Sequence, residues 1–191
     1  LDTMAKVYEF VADGSEDIEA LAVVDILRRG GVDIKLVSIN DKAEFTSSHN
    51  VVIKTDLTFD EADLSDADLL LIPGGIPGAT NLNDHKGVRQ ALLDQVAKGK
   101  KVGAICAGPM VLGLLGLLKG KRATCYPGFE KYLDGAEYTK QLFTVDGNVI
   151  TGEGPAATLP YAYKILSFFV SEDKVKALQD GMMYTHLMST K

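Results

Sequence analysis

The sequence predicts an α/β fold, a mostly parallel sheet with helices on both faces, and three observations carry that expectation. Short apolar runs alternate with segments of helical period, the pattern of successive strand–helix units. Ala67 to Ile72 is an unbroken apolar run, the mark of a strand buried on both faces. Two runs stop abruptly at small residues, Pro73-Gly74-Gly75 and Cys106-Ala107-Gly108, as strands do where open α/β sheets bind ligands. With 191 residues, 46% of them hydrophobic, the chain can bury one well-covered core, so a single domain over 4–191 is expected. Leu1-Asp2-Thr3 precedes Met4-Ala5-Lys6, which has the look of a natural start, and is expected to be an added remnant.

Taken in order, Val7 to Ala12 reads as a first strand, and Asp13-Gly14-Ser15 as a turn. A helix follows to Arg29, with acids in its first turn, arginines in its last and Gly30-Gly31 as the stop. Asp13 and Glu16 have capping-box spacing. Asp33 to Ile39 alternates as a second strand, and a β-excursion is expected through Val51-Val52-Ile53. Leu57 to Leu64 is ambiguous. After the Ala67–Ile72 strand, Asp84 to Lys98 reads as a helix closed by Gly99. A strand then leads to Cys106, and Met110 to Leu118 reads as a short buried helix and turn. Lys121 to Cys125 suggests a strand, Phe129 to Leu133 a helical turn, and Asp146-Gly147-Asn148 the turn of a hairpin. Two helices end the chain, Leu159 to Val170 with Pro160 in its first turns, and Lys174 to Met183 capped by Ser171. The sum is a flavodoxin-like sandwich.

A net charge of −6 and a pI near 5.1, with no basic run, argue against a nucleic-acid or anionic-membrane surface. No uninterrupted apolar span of membrane length is visible. Two cysteines, Cys106 and Cys125, are too few for a disulfide framework, so a reducing cytoplasm is the expected setting.

Cys106 closes a strand and opens a helical pattern, with Ala104, Ala107 and Gly108 small enough for a sharp elbow. A thiol there faces a helix N-terminus, which favours thiolate; the alternative is a small hydrophobe ending a core strand. Glu19 stacks at helical spacing with Ala22, Val23, Ile26 and Leu27. It is either a protonated acid on the apolar face or an acid at its edge reaching water. Pro73-Gly74-Gly75 offers backbone N–H groups at a strand end, or is a flexible loop. His49, His85 and His186 read as surface or loop histidines, and Cys125 as a buried strand cysteine or a resolving thiol.

Glu19, Pro73-Gly74-Gly75, Asn81-Leu82, Ala104-Ile105-Cys106-Ala107-Gly108-Pro109 and Thr151-Gly152-Glu153-Gly154-Pro155 together resemble the ThiJ/PfpI superfamily. The likeness is strongest to the branch of the parkinsonism-associated protein deglycase and its bacterial relative YajL, and runs from about Met4 to Val170. It implies a nucleophilic Cys106, a partner acid Glu19, and oxyanion donors at the Gly75 and Ala107 backbone, with Gly74 flooring the pocket. Tyr126 stands where that branch often has histidine, and Glu153 where the human member has arginine. Ala107 stands where the intracellular-protease branch has histidine, so a Cys-His dyad is not expected.

The resemblance implies glyoxalase- or deglycase-type chemistry on reactive dicarbonyls such as methylglyoxal, or on glycated protein, without glutathione, cofactor or metal. The alternative is a redox-responsive protein or chaperone in which Cys106 oxidation is the signal. The resemblance also implies a homodimer, and the apolar span Ala20 to Leu27 leaves a helix face to meet a second subunit.

Overall fold

The computed structural model describes residues 4–190; the remnant expected at 1–3 lies outside them. Chain order is β1 (Lys6–Val11), α1 (Asp17–Arg29), β2 (Asp33–Ser38), β3 (Glu44–Thr46), β4 (Val52–Lys54), β5 (Leu57–Thr58) and β6 (Leu69–Ile72). Then come α2 (Gly78–Asp84), α3 (Lys86–Ala97), β7 (Lys101–Ile105), α4 (Pro109–Leu114), β8 (Arg122–Ala123) and β9 (Glu137–Tyr138). The chain closes with β10 (Phe143–Asp146), β11 (Val149–Gly152), α5 (Thr158–Leu166), α6 (Glu172–Gly181) and α7 (Tyr184–Ser189).

Seven strands form one sheet in the order β10-β11-β7-β6-β1-β2-β5. Only β10 runs antiparallel, as the hairpin partner of β11. The unbroken run of β6 sits at the centre with all four side chains buried, each contributing roughly 1.5–3 kcal/mol of hydrophobic stabilisation. Strand alternation splits the core. Val7 and Val11 of β1 pack with Val23, Ile26, Leu27, Ile165 and Leu166 beneath α1 and α5. Tyr8 and Phe10 point the other way, into a cluster with Leu82, Val88, Leu92 and Val111. The sandwich expected from the sequence is the one observed.

Local differences have physical reasons. Helix α1 is capped by Glu16, whose Oε2 accepts from Glu19 N at 2.8 Å, and not by Asp13. Asp13 Oδ1 instead accepts from Thr46 N and the Asn40 amide, fastening the β3–β4 excursion to the end of β1. The helix expected from Asp84 begins at Lys86 because His85 caps it, Nδ1 accepting from Val88 N. The segment Lys121 to Cys125 forms only the short β8, which pairs with β9 outside the main sheet. Helix α5 starts at Thr158, placing Pro160 in its first turn, and ends at Leu166. Helices α2 and α7 are additions to the expected set. No helix among the described residues is long and apolar enough to cross a membrane.

Candidate active site

The site is assembled at the carboxyl ends of β6 and β7 and the start of α1. Strand β7 delivers Cys106 at φ 66, a left-handed conformation uncommon for a residue with a side chain and costing of order 1–3 kcal/mol. Two backbone bonds hold it there: Cys106 N donates to Gly152 O at 2.9 Å, and Cys106 O accepts from Tyr126 N at 2.9 Å. The thiol is therefore fixed between β11 and the segment after β8.

Glu19 reaches the same place from the first turn of α1. It is fully buried; Oε1 accepts from Gly74 N at 3.0 Å, and the carboxyl shares a hydrogen bond with the Cys106 thiol. The edge-of-face alternative for this acid is thereby overturned. Gly74 makes the approach possible. A Cβ at this position would lie 2.6 Å from Cys106 Cβ, 2.7 Å from Glu19 Oε1 and 2.8 Å from Ala107 N. Gly75 adopts φ +89, and its N–H and that of Ala107 act on the Cys106 thiol to favour its charged form. Asn81 secures this loop from α2, its amide donating to Asp13 O at 2.9 Å.

Electrostatics corrects one expectation. Burial pushes the Cys106 thiol well up, and the charge of Glu19 and its hydrogen bond push it further, while the Ala107 and Gly75 N–H groups pull it down. Helix α4 has six residues, too short a dipole to outweigh burial. Burial also raises Glu19 from 4.5 to about 7; its bond to Cys106 and the Gly74 N–H oppose the rise, and the Glu16 charge adds to it. The two groups titrate as a pair. Once Glu19 holds a proton, the like charge opposing the thiolate is gone and two backbone donors remain. Thiolate character thus depends on the acid more than on the helix.

Tyr126 is half-exposed and stands beside the elbow, its N–H donating to Cys106 O. With Pro127, Leu142, Glu153, Pro155 and Leu187 it lines a largely apolar groove of about 470 Å³. Cys125 is buried, its thiol pushed up to about 12 by burial and then by Glu130, which favours the inert reading over a resolving thiol. His85 is occupied as a cap and His186 is exposed on α7. His49 lies in the excursion with Nδ1 2.8 Å from Asp17 Oδ1. Glu16, Asp17 and His49 offer ligand atoms all within 4.8 Å of one another. Glu16 Oε2 is engaged in the helix cap and Asp17 with Ser47 and His49, while Glu16 Oε1 lies 3.8 Å from His49 Nδ1.

A flavodoxin-like sheet with a strained cysteine at a strand–helix elbow, facing a buried acid from the first helix, defines a class of cysteine-bearing α/β proteins. Within it, the chain belongs to the DJ-1/PfpI family, whose pattern matches residues 5–167. It is 35% identical over 165 residues to protein DJ-1 homolog B of Arabidopsis thaliana, covering 86% of this chain and 38% of that protein. The chain spans about two fifths of the length of the Arabidopsis relatives. Deglycase PfpI of Pyrococcus furiosus is 33% identical over 153 residues, 78% of this chain and 90% of its own. Among solved structures, oxidized Toxoplasma gondii DJ-1 superposes with a TM-score of 0.89 at 30% identity, covering 94% of this chain and 98% of its own.

Proposed function

We propose that the chain is a cysteine-dependent enzyme of glyoxalase or deglycase type, acting on reactive 2-oxoaldehydes such as methylglyoxal, or on their adducts with protein, without glutathione. The observation that carries the reading is the buried Cys106–Glu19 pair, a thiol and a carboxyl sharing a hydrogen bond beneath two backbone donors. A relative named as a deglycase supports the same chemistry. With Glu19 protonated, the Cys106 thiolate adds to the aldehyde carbon. The C–S bond forms, and the carbonyl π pair moves to an alkoxide facing the Gly75 and Ala107 N–H groups. Glu19 gives that oxygen its proton. As carboxylate it then takes the proton from the aldehyde carbon, giving an enediolate, and returns it to the neighbouring carbonyl carbon. The proton on the first oxygen passes to the second and leaves a lactoyl thioester. One carbon is oxidised as the other is reduced. Water cleaves the resulting thioester to lactate and restores the thiol. Purified protein should form lactate from methylglyoxal, and Cys106→Ser should lose that activity; turnover no greater than a free-thiol control overturns the reading.

The same pair favours a second role. A neutral carboxyl beside a cysteine sulfur can donate to a sulfinate and halt oxidation there, and one structural relative is described as oxidized. Under mild peroxide, Cys106 should then gain two oxygens before Cys125 reacts; equal oxidation of both cysteines contradicts this.

A homodimer in the cytoplasm fits either role. The monomer itself buries Ala20, Val23, Val24, Ile26 and Leu27 of the expected span, leaving Leu21 uncovered, while Ile18 (55% exposed) on α1 and Val51 and Val52 (64%) are exposed nearby. Ser47 and His49 tie the two segments together through Asp17. That apolar patch is the surface for a second copy.

A further inference from the structure

Among the described residues, four buried side-chain oxygens have no hydrogen-bond partner: Glu9 Oε2, Glu19 Oε2, Thr158 Oγ1 and Tyr161 Oη. Their positions in the fold group them. In β1, Glu9 pairs in register with Leu71 of β6, Leu71 with Gly103 of β7, and Gly103 with Ile150 of β11. Paired residues of a parallel sheet share a face, and this row lies on the face that α1 and α5 cover. The Tyr161 hydroxyl descends from α5 onto the row. It sits 3.0 Å from the point a Cβ on Gly103 would occupy, a place open to it only because residue 103 is glycine. Thr158 lies three residues before Tyr161 on α5, on the same helix face. Glu19 comes in from α1 with Oε1 engaged by Gly74 N and Oε2 turned away from that bond, unpartnered. Glu9 and Tyr161 are among the most deeply buried groups in the molecule, and each senses the charge of Glu19.

Unsatisfied polar atoms buried beneath α1 and α5 are costly unless something bridges them. Ordered water making two to four hydrogen bonds is the usual solution. We propose that Glu9, Tyr161 and Thr158 enclose buried water behind Glu19, forming a hydrogen-bond chain that runs from Glu9 to Glu19 Oε2. The proposal rests on the Cys106–Glu19 reading and deepens it. Glu19 must ionise during turnover, and the chain supplies donors to the oxygen that carries the new charge. Glu9 and Tyr161 are positioning residues in this account: neither touches substrate, and both act through Glu19. Burial keeps Glu9 neutral, so it faces Glu19 as a donor and not as a like charge. The ionisable groups around the compartment are Glu9 from β1, Glu16 and Glu19 from α1, Cys106 from the elbow and Tyr161 from α5. Among the described residues, the charges that act on Glu9, Glu19 and Tyr161 are all acidic. Hydrogen bonds alone are therefore available to stabilise the Glu19 carboxylate.

The chain has an unusual consequence for Cys106. When the pair loses its first proton, the charge is divided between Glu19 and the thiol. Removing donors from Glu19 Oε2 weakens that acid and moves charge onto sulfur. Tyr161→Phe and Glu9→Leu should therefore raise the plateau rate of Cys106 alkylation by iodoacetamide about three- to ten-fold and shift its pH midpoint upward by up to about one unit, while slowing methylglyoxal turnover. Glu9→Gln, which keeps an N–H donor, should stay near wild type in both. A purely structural role would lower stability without this opposition of rates. Tyr161→Phe, which removes a single oxygen, decides the matter if Glu9→Leu does not fold. Unchanged alkylation plateau and midpoint in folded Tyr161→Phe overturn the chain. Glu19→Leu serves as the control: unchanged alkylation there contradicts the Cys106–Glu19 pairing itself, whereas a response to Glu19→Leu without one to Tyr161→Phe defeats only the chain.

Discussion

Replacing Glu19 by Gln keeps the side chain's shape and removes its titration, so it isolates what burial of this acid does to stability. Glu19 titrates at about 7 in the folded protein against an ordinary value of 4.5. A group whose folded pKa is raised stabilises fully below its unfolded pKa, and that contribution is lost as pH climbs to the folded value. Here the window runs from 4.5 to about 7. At 1.36 kcal/mol per pH unit, wild type should lose roughly 3 kcal/mol relative to Glu19→Gln between pH 4 and pH 8. Urea unfolding at half-unit pH steps, with the m-value monitored, measures the difference. Glu9 is the same buried acid in both proteins, so most of its contribution cancels. The loss should fall inside the window and flatten above it. A difference constant across the range would refute the protonated acid, and with it the source of thiolate character at Cys106.

Other substitutions probe the surroundings. Gly74→Ala places a methyl within 2.8 Å of Cys106 Cβ, Glu19 Oε1 and Ala107 N, and should cost about 1–3 kcal/mol and slow Cys106 alkylation at least about ten-fold. Wild-type rates in a folded variant contradict the geometry. Cys125→Ser should lower stability by about 1–3 kcal/mol through a buried hydroxyl yet leave methylglyoxal turnover unchanged; lost turnover at retained stability would restore the resolving-thiol role. Ile18→Glu, at an exposed apolar position on α1, should convert a dimer to monomer in sedimentation velocity at micromolar concentration; a dimer that persists moves the interface elsewhere.

What the sequence disclosed followed patterns with one dominant cause. The apolar run of β6 admits no amphipathic reading, so its central place was legible, and the parallel sandwich followed from alternation. The acid at Glu19 stood out because helical spacing placed it among Val23, Ile26 and Leu27, and the structure buries it completely. The direction of the thiol's shift was not legible: a helix start is visible in sequence, but the depth of burial that outweighs a six-residue helix is a tertiary property. Glu9 lies inside the run Val7 to Ala12, where an acid in a strand buried on both faces carries the same signal as Glu19. The Asp13 cap failed because the Thr46 and Asn40 donors compete for its carboxylate from 27 or more residues away. Helix α2 opens on Gly78 and has no apolar period long enough to register, and α7 is a single short turn pattern after α6.

The most direct test of the Cys106–Glu19 pair is to mix the protein with methylglyoxal, trap the products and map adducts by peptide mass spectrometry. The account predicts a hemithioacetal-derived adduct on Cys106, absent from Cys125 and strongly reduced in Glu19→Leu. Adducts confined to lysine and arginine side chains, with Cys106 unmodified, would contradict it.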